Sequence, residues 1–220
     1  MKHLLLILVL LIFSTLGITA EEFKSEEFKS EIFTKGKLLY SDDFEGDLDS
    51  DWWQLRTKNW RVKSGVLIGA PDYKTKEEAM KELKRDHHLG LAPVIRLENL
   101  PTQFVCKLRF QYTGKEVIYN RPKVDIGHHI NKVFFKPGGY QLHLSEGDVF
   151  DNKKSLFKLN EWNVMLIEFK NGKLIIDLNG QRQVYENSQV SLKDRSELTF
   201  KALEGGQLKF DYIRLWEGKS

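Results

Sequence analysis

Two Asn-Gly pairs, each placed next to runs of β-forming residues, constrain the fold of this chain more than any other feature. The pair at 171–172 separates the runs 164–169 and 174–178, and the pair at 179–180 follows the second run directly. A tight hairpin turn requires positive φ at its central residues, which asparagine and glycine adopt most readily. The second half of the chain is therefore predicted to fold as consecutive antiparallel strands.

Short segments of β-forming residues continue this pattern through most of the chain. Their near-regular spacing predicts an all-β antiparallel sandwich. The segment 74–86 is rich in helix formers and carries the i,i+4 pair Glu77 and Lys81, so it is predicted to be one short helical excursion. The strands predicted after this helix lie at 93–98, 103–113, 123–130, 132–136, 139–145, 162–170, 173–178, 181–186, 196–203 and 207–216.

The N-terminus has the pattern of a secretory signal peptide. A short basic start precedes an apolar run over 4–16, and Ala20 supplies a small residue before two glutamates. We therefore expect 1–20 to be a signal peptide, 21–36 a charged spacer and 37–220 a single β-sandwich domain. The protein is then expected to be secreted or periplasmic, without stable membrane insertion after cleavage.

The charge balance argues against a nucleic-acid-binding surface. The chain has 34 lysines and arginines against 31 aspartates and glutamates, a formal net charge of +3 at pH 7. Loss of a signal peptide would remove Lys2 and leave +2, which is near balance for a chain with 30% charged residues. Cys106, the single cysteine, shares the apolar side of its strand with Leu108 and is predicted to be a buried, unreactive thiol.

Strand parity predicts one polar sheet face that is rich in histidine and arginine. Successive side chains of a strand point to opposite sides of the sheet, so residues two apart share a side. His128 falls on the apolar side and is predicted to be a core histidine. The alternative is that the polar side only faces solvent and has no binding or catalytic role. That side is predicted to carry Arg96, Lys107, Arg109, Asp125, His129, Gln141 and His143.

Two kinds of metal site fit the residue types. Asp43, in an acidic stretch near the start of the domain, and Asp211, near its end, would form an oxygen-ligand site for a structural calcium ion. The histidines would instead bind a divalent metal, although no spacing here is diagnostic. The ligands of that second site would be His88, His129 and His143 with Asp125 or Asp86.

Several established catalytic motifs are absent from the sequence. It has no Gly-rich phosphate loop, no Cys-x-x-Cys, no nucleophile elbow around a serine and no His-Glu-x-x-His. The segment from Glu146 to Asp151 has the acidic rhythm of the laminarinase-type signature Glu-x-Asp-x-x-Glu, but it ends in aspartate. Gly147 predicts a loop there, which is a poor platform for two carboxylates held about 5–5.5 Å apart.

Landmark segments spread over residues 38–217 have the residue pattern of one family. They include Phe-Glu-Gly-Asp-Leu at 44–48, Trp-Arg-Val at 60–62, Gly-Tyr-Gln-Leu-His-Leu at 139–144, Glu-Trp-Asn at 161–163 and Phe-Asp-Tyr-Ile-Arg at 210–214. On these residues the chain resembles the 3-keto-disaccharide hydrolase-like domains, which are secreted bacterial proteins with a concanavalin A-type jelly roll. Family members often have an acidic residue after the Gly-Tyr and a glutamine two positions later. Here these positions are Gln141 and His143, so a catalytic acid would have to lie elsewhere.

The resemblance implies an elimination mechanism. A ketone at C3 of a sugar acidifies the C2 proton, so that a base abstracts it, the glycosidic oxygen leaves C1, and water adds afterwards. The reaction needs a base, a cation at the enolate oxygen and an acid at the leaving group. His129 or His143 would be the base, Arg109 or Arg96 the enolate stabiliser, and Asp125 the orienting carboxylate. The substrate-binding residues would be Arg96, Lys107, Gln141, His88 and Glu146.

Two other functions remain open at this point. The first is a non-catalytic lectin-like module that binds a carbohydrate. The second is a structural protein of the cell envelope. A lectin-like surface presents aromatic side chains that stack on sugar rings. The aromatic candidates are Trp52, Trp53, Trp60, Tyr73 and Tyr119.

Overall fold

The computed structural model describes residues 30–82, 90–115, 122–153, 157–193 and 195–219. The predicted signal peptide and the first nine residues of the predicted spacer lie outside these ranges. Within them the chain forms fifteen strands and one short helix, α1 (Lys76–Glu82). The strands are β1 (Thr34–Asp42), β2 (Trp53–Leu55), β3 (Trp60–Val62), β4 (Leu67–Gly69), β5 (Val94–Leu97), β6 (Phe104–Thr113), β7 (Lys123–Ile126), β8 (Asn131–Lys136), β9 (Gly139–His143), β10 (Val149–Asn152), β11 (Asn163–Lys170), β12 (Lys173–Leu178), β13 (Gln181–Glu186), β14 (Leu198–Lys201) and β15 (Gln207–Lys219).

The strands form two antiparallel sheets that pack face to face, which confirms the predicted sandwich. Sheet I has the order β13-β12-β11-β6-β15-β4-β3, and β1 also pairs with β15. Sheet II has the order β10-β9-β8-β7-β14-β5-β2. One side of each sheet packs against the other sheet, so each sheet has a second, outer face. Parts of these outer faces are themselves buried, as at Asp125 and Thr199 of sheet II and Val105 of sheet I.

Both predicted hairpin turns are present. The turn at 171–172 joins β11 to β12, and the positive φ of 82° belongs to Gly172. The turn at 179–180 joins β12 to β13, and both Asn179 and Gly180 have positive φ, 52° and 81°. The second turn therefore has the sign pattern of a type I′ hairpin, which matches the right-handed twist of its strands.

One hydrophobic core fills the space between the sheets. Phe110 and Tyr112 of sheet I contact Phe135 of sheet II, with ring centroids 5.6 and 5.7 Å apart. Cys106 is fully buried in this core, as predicted, and burial raises the pKa of its thiol. The rings interlock the two sheets, because each buried aromatic side chain contributes a large apolar area.

The folded structure begins earlier than residue 37, where the domain boundary was expected. Ser30 donates a hydrogen bond from Oγ to Oε2 of Glu168, at 2.6 Å, and the backbone N–H of Ile32 donates to the same oxygen, at 3.2 Å. Phe33 packs against Trp216 in a small apolar cluster on the outer side of sheet I. The last residues of the expected spacer thus bind β11 and lead directly into β1.

Helix α1 lies inside the predicted helical segment 74–86. Ala79 is its buried residue, and the rest of its side chains are exposed. The end of the predicted segment, from residue 83 onward, lies outside the described ranges. In the parts of the chain that the structure describes, no helix is long and apolar enough to cross a membrane.

Candidate functional site

The outer face of sheet II carries an unbroken row of side chains, one from each of its seven strands. Each residue of the row is directly opposite the next in the strand pairing, and most of the neighbours of these residues along each strand pack in the core. Four residues predicted to share one polar face, namely Arg96, Asp125, Gln141 and His143, do lie on this face. In order across the sheet, the row is Val149, His143, Lys132, Asp125, Thr199, Arg96 and Gln54.

A second, parallel row on the same face adds positive charge. Lys123 and Lys201 are direct cross-strand partners in it, and Gln141 lies opposite Phe134 two strands away. Burial is the main cause that lowers the pKa of the Lys201 ammonium, and the neighbouring charge of Lys123 lowers it further. Lys123 is the first residue of β7 and Lys201 is the last residue of β14, so this positive charge lies at one end of these two neighbouring strands.

Asp125 is the first of two buried carboxylates at the centre of this face. Its side chain has no exposed surface, and its Oδ2 atom lies 2.6 Å from Nζ of Lys123 and 3.3 Å from Nδ1 of His129. The imidazole of His129 is half exposed, so it projects from a buried acid toward solvent. A carboxylate that accepts a hydrogen bond from Nδ1–H leaves the lone pair of Nε2 free to act as a base.

Glu197 is the second buried carboxylate, and it lies on the segment that leads into β14. Its Oε1 atom lies 2.8 Å from Nδ1 of His128, 3.1 Å from Oγ1 of Thr199 and 3.3 Å from Nε of Arg96. The side chains of Glu197 and Arg96 are 5% and 8% exposed, so this is a buried ion pair. Sequence reasoning missed Glu197, because its position before an apolar strand gives no motif signal.

The two carboxylates bring two histidines together. The ring centroids of His128 and His129 are 4.3 Å apart, and each ring has a different carboxylate behind it. Burial is the main cause that lowers the pKa of His129, and the charges of His128 and Lys123 lower it further, while Asp125 opposes them. The arrangement places two proton-transfer groups side by side on the sheet surface.

The prediction that His128 is a core histidine was wrong. Strand β7 ends at Ile126, and the chain turns through Gly127 and His129, whose φ values are +78° and +59°. A turn of this kind breaks the alternation of a strand, so adjacent residues no longer point to opposite faces. His128 is consequently part of the surface site together with His129.

The predicted placement of Lys107 and Arg109 was also wrong. Both belong to β6, which lies in sheet I between β11 and β15, so their side chains are on the outer face of the other sheet. Arg109 donates a hydrogen bond to Asp211, at 2.6 Å, and lies over the ring of Trp162. The body of the sandwich separates these residues from Asp125 and His129, so they are not part of this site.

The calcium site predicted at Asp43 and Asp211 does not fit the arrangement of charges. Asp43 forms an ion pair with Arg214, and Asp211 forms one with Arg109, so guanidinium groups occupy the carboxylate oxygens. Across the described ranges, no group of three or more His, Cys, Asp or Glu side chains is arranged to hold a metal ion. The histidine site proposed for a divalent metal includes His88, which lies outside the described residues.

His143 and Glu146 lie toward one edge of the sheet II face. His143 contacts Phe134 edge-on at 4.9 Å and is separated from Asp125 by Lys132 in the row. Since neighbouring strands are about 4.8 Å apart, His143 lies roughly 10 Å from Asp125. Glu146 is at the tip of the β9–β10 hairpin, where its N–H bonds Gln189, so the loop predicted there is confirmed and Glu146 is not in the row.

A cavity of about 440 Å³ adjoins the Glu197 side of the site. Three arginines line it, namely Arg56, Arg96 and Arg195, together with Glu98 and Glu197. Gln54, also in its wall, accepts hydrogen bonds from Arg56, at 3.3 Å, and from Arg96, at 3.1 Å. Sequence reasoning did not single out Arg56 or Arg195, because neither lies in a motif and only the fold brings them together.

Four of the five aromatic residues expected of a lectin-like surface are described by the structure, and none of the four lines the sheet II face. Trp53 and Tyr73 are buried, and Trp52 and Trp60 are partly buried against the core. Tyr119 lies outside the described ranges. Phe134 is the aromatic side chain that the described second row does present on this face.

Solved structures of sugar-cleaving enzymes share this fold. SCLam, a non-specific endo-β-1,3(4)-glucanase of family GH16, aligns with 86% of this chain and 94% of its own, at 11% identity and a TM-score of 0.57. The laminarinase catalytic domain of Thermotoga petrophila RKU-1 aligns with 85% of this chain and 100% of its own, at 13% identity and a TM-score of 0.58. A structure from work on endo-acting O-glycanases of human gut microbiota aligns over 83% and 100%, at 15% identity and a TM-score of 0.59.

These likenesses confirm the predicted jelly-roll sandwich. Their identities are too low to transfer an activity, since one fold supports many functions. No family model and no curated protein matches the sequence. The resemblance to 3-keto-disaccharide hydrolase-like domains therefore stays a prediction, and the chemistry has to be argued from the residues of the site.

Proposed function

We propose that this protein is an exported carbohydrate-active enzyme that cleaves the glycosidic bond of 3-keto sugars by elimination and hydration. The observation that carries the proposal is the pair of imidazoles, His128 and His129, 4.3 Å apart and each hydrogen-bonded to its own buried carboxylate. Elimination needs one group that removes a proton and one that supplies a proton, which is what two adjacent carboxylate–histidine dyads provide.

His129 is the general base in this proposal. Asp125 holds its Nδ1–H, so Nε2 is available to take the C2 proton of the sugar. The lowered pKa favours the neutral imidazole, and a base must be unprotonated before it can abstract a proton. Asp125 is a positioning residue, because it is fully buried and acts through the histidine.

Lys132 is the cation at the developing enolate oxygen. It lies between His143 and Asp125 in the row, it is half-buried, and its side chain projects onto the same face. Abstraction of the C2 proton moves the electron pair into a C2–C3 double bond and places negative charge on the oxygen at C3. An ammonium group placed there stabilises that charge. Lys132 takes the role that the sequence had suggested for Arg109 or Arg96.

His128 delivers the proton to the leaving group. As the enolate collapses, the bond between C1 and the glycosidic oxygen breaks, and the oxygen takes a proton from His128. Glu197 orients this ring through Nδ1 at 2.8 Å. Water then adds across the new C1–C2 double bond, with its hydroxyl going to C1 and a proton to C2, so that the net reaction is hydrolysis.

A paired-carboxylate glycosidase mechanism has less support. Such enzymes need two carboxyl groups that reach the sugar, as nucleophile and as acid. Asp125 and Glu197 are 0% and 4% exposed, and both are already hydrogen-bonded to histidines. The accessible proton-transfer groups are therefore imidazoles, and an imidazole base suits a carbon acid such as the C2–H of a 3-keto sugar.

The test uses the purified protein with p-nitrophenyl 3-keto-β-glucoside and with the unoxidised glucoside. Release of nitrophenol from the keto substrate alone, with deuterium incorporated at C2 in D₂O, is the expected result. His129→Gln should lower kcat by about 100-fold or more, since a general base contributes roughly 10²–10⁴. Lys132→Gln should also lower kcat.

Lys170→Gln is the matched control for Lys132→Gln. Lys170 is half-buried on the outer face of sheet I, so the substitution removes the same charge from the other side of the molecule. It should leave kcat unchanged. If a folded protein does not turn over any 3-keto substrate, or if His129→Gln keeps full activity, the proposed chemistry is wrong. Binding without turnover would instead indicate the lectin-like module.

A further inference from the structure

We infer that the cavity beside Glu197 is a subsite for an anionic substituent of the glycan, a sulfate ester or a carboxylate. The inference rests on the proposed function for the statement that the ligand is a glycan. The evidence for the site itself is the three arginines that line the cavity. None of these groups is needed for the proton transfers assigned to His128 and His129.

The guanidinium groups are gathered by the fold rather than scattered over the surface. Gln54 of β2 accepts hydrogen bonds from both Arg56 and Arg96, and Arg195 reaches the same cavity from the segment before β14. Like charges repel, so such a cluster is unfavourable unless an opposite charge is nearby. Burial is the main cause that lowers the pKa of Arg96. Glu197 and Glu98 oppose this lowering, while the charges of Arg56 and Arg195 add to it.

Among the described residues that line the cavity, the carboxylates do not fully neutralise the three arginines. Glu197 forms an ion pair with Arg96 at 3.3 Å, and it also binds His128 and Thr199. This leaves Arg56 and Arg195 against Glu98, so the lining has three positive and two negative charges, a net charge of +1. Arg56 and Arg195 are both exposed, and both line the cavity.

The shape and donors of the cavity fit a planar or tetrahedral oxyanion. Its volume of about 440 Å³ lies within the range of roughly 300–1,000 Å³ of small-molecule sites. Arginine presents a rigid fork of N–H donors that pairs two at a time with the oxygens of a carboxylate or sulfate. In the row, Arg96 is followed by Thr199 and then by Asp125, so the cavity and the histidine pair lie on the same side of sheet II.

The experiment measures the binding of three tetrasaccharides that share one backbone, by titration calorimetry at low and high salt. They are neutral cellotetraose, its C6-oxidised form with carboxylates, and its 6-O-sulfated form. An anionic form should bind more tightly by about 10-fold or more, because hydrogen bonds between arginine and an anionic oxygen are stronger than those to a neutral hydroxyl group. High salt should weaken this preference, and comparison of the two anionic forms identifies the substituent.

Arg56→Ala and Arg195→Ala should each remove most of the preference for the anionic sugar. Arg61→Ala is the matched control, because Arg61 is an exposed arginine on β3 of sheet I. It should keep the preference. Equal binding of neutral and anionic forms, binding of none of the three, or an equal loss in Arg61→Ala would overturn the subsite.

The subsite and the proposed chemistry fail independently in this design. His129→Gln should abolish turnover of a keto substrate and keep the preference for anionic sugars, because His129 does not line the cavity. If the preference is present but no 3-keto substrate is turned over, the elimination chemistry is wrong and the subsite stands. If keto substrates are turned over without any preference for charge, the subsite is wrong.

Discussion

Substitution of Glu197 by glutamine should destabilise the fold strongly, because it breaks a buried ion pair. Oε1 of Glu197 lies 3.3 Å from Nε of Arg96, and the two side chains are 5% and 8% exposed. At an effective dielectric constant of about 20, two unit charges at that separation interact by about 5 kcal/mol. Glutamine keeps a neutral acceptor for His128 and Thr199, so the expected loss is about 3–5 kcal/mol, the range measured when one partner of a buried pair is removed.

Urea unfolding at neutral pH measures this loss, and a thermal melt should show a fall in Tm of roughly 6–20 °C for a domain of this size. Glu186→Gln is the matched control, since Glu186 pairs with Lys173 at 2.6 Å but is 68% exposed. Water screens an exposed pair, so this control should be affected much less. The apolar double variant Glu197→Leu/Arg96→Met should be more stable than the sum of its single losses predicts. Equal losses for Glu197→Gln and Glu186→Gln, or strict additivity in the double variant, would refute the reasoning.

Three further outcomes are expected. The pKa of His129, measured by NMR titration of the folded protein, should lie below about 6.5. The contribution of His129 to the free energy of unfolding is then fully present above about pH 6.5 and is lost as the pH falls through the pKa of the folded state. A titration midpoint above about 6.5 would contradict the lowered pKa. Glu168→Leu should expose the segment around Ser30 to proteolysis, because the fully buried carboxylate binds that segment; unchanged protection would show that packing alone holds it. Gly139→Ala should destabilise the pairing of β9 with β10, because a Cβ at this position would lie 1.9 Å from the carbonyl oxygen of Asn152. The rate of amide hydrogen exchange in β10 should rise. An unchanged exchange rate would count against the close contact.

The features that the sequence predicted well are those set by neighbouring residues. Gly172, Asn179 and Gly180 have the positive φ values that their turns require, and such values depend on the residue itself and its immediate flanks. The burial of Cys106 followed in the same way from alternation within one strand. These local rules were sufficient to predict the sandwich.

Parity within a strand predicts which residues face away from the core, but it does not say which sheet the strand joins. Arg96 and Arg109 both point away from the core, yet β5 belongs to sheet II and β6 to sheet I. The partner of each strand is set by contacts between residues far apart in sequence. For that reason the sequence grouped Arg109 with Asp125, although the core separates them.

The sequence predicted only some of the residues of the candidate site. Asp125, His129 and Arg96 were identified from residue type and parity, and the structure keeps them on one face. Glu197 was not found, because only the pairing of β14 with β7 places it beside the turn that carries the histidines.

The sequence alone determined the class of fold, through turn residues and alternation, which act over a few residues. Only the tertiary structure decided the site. His128 and Glu197 are 69 residues apart in sequence and 2.8 Å apart in space. Their contact exists because the pairing of β7 with β14 positions the segment before β14 beside the turn after β7, whose positive φ values at Gly127 and His129 interrupt strand parity. Local sequence patterns therefore do not predict a site that depends on such long-range strand pairing.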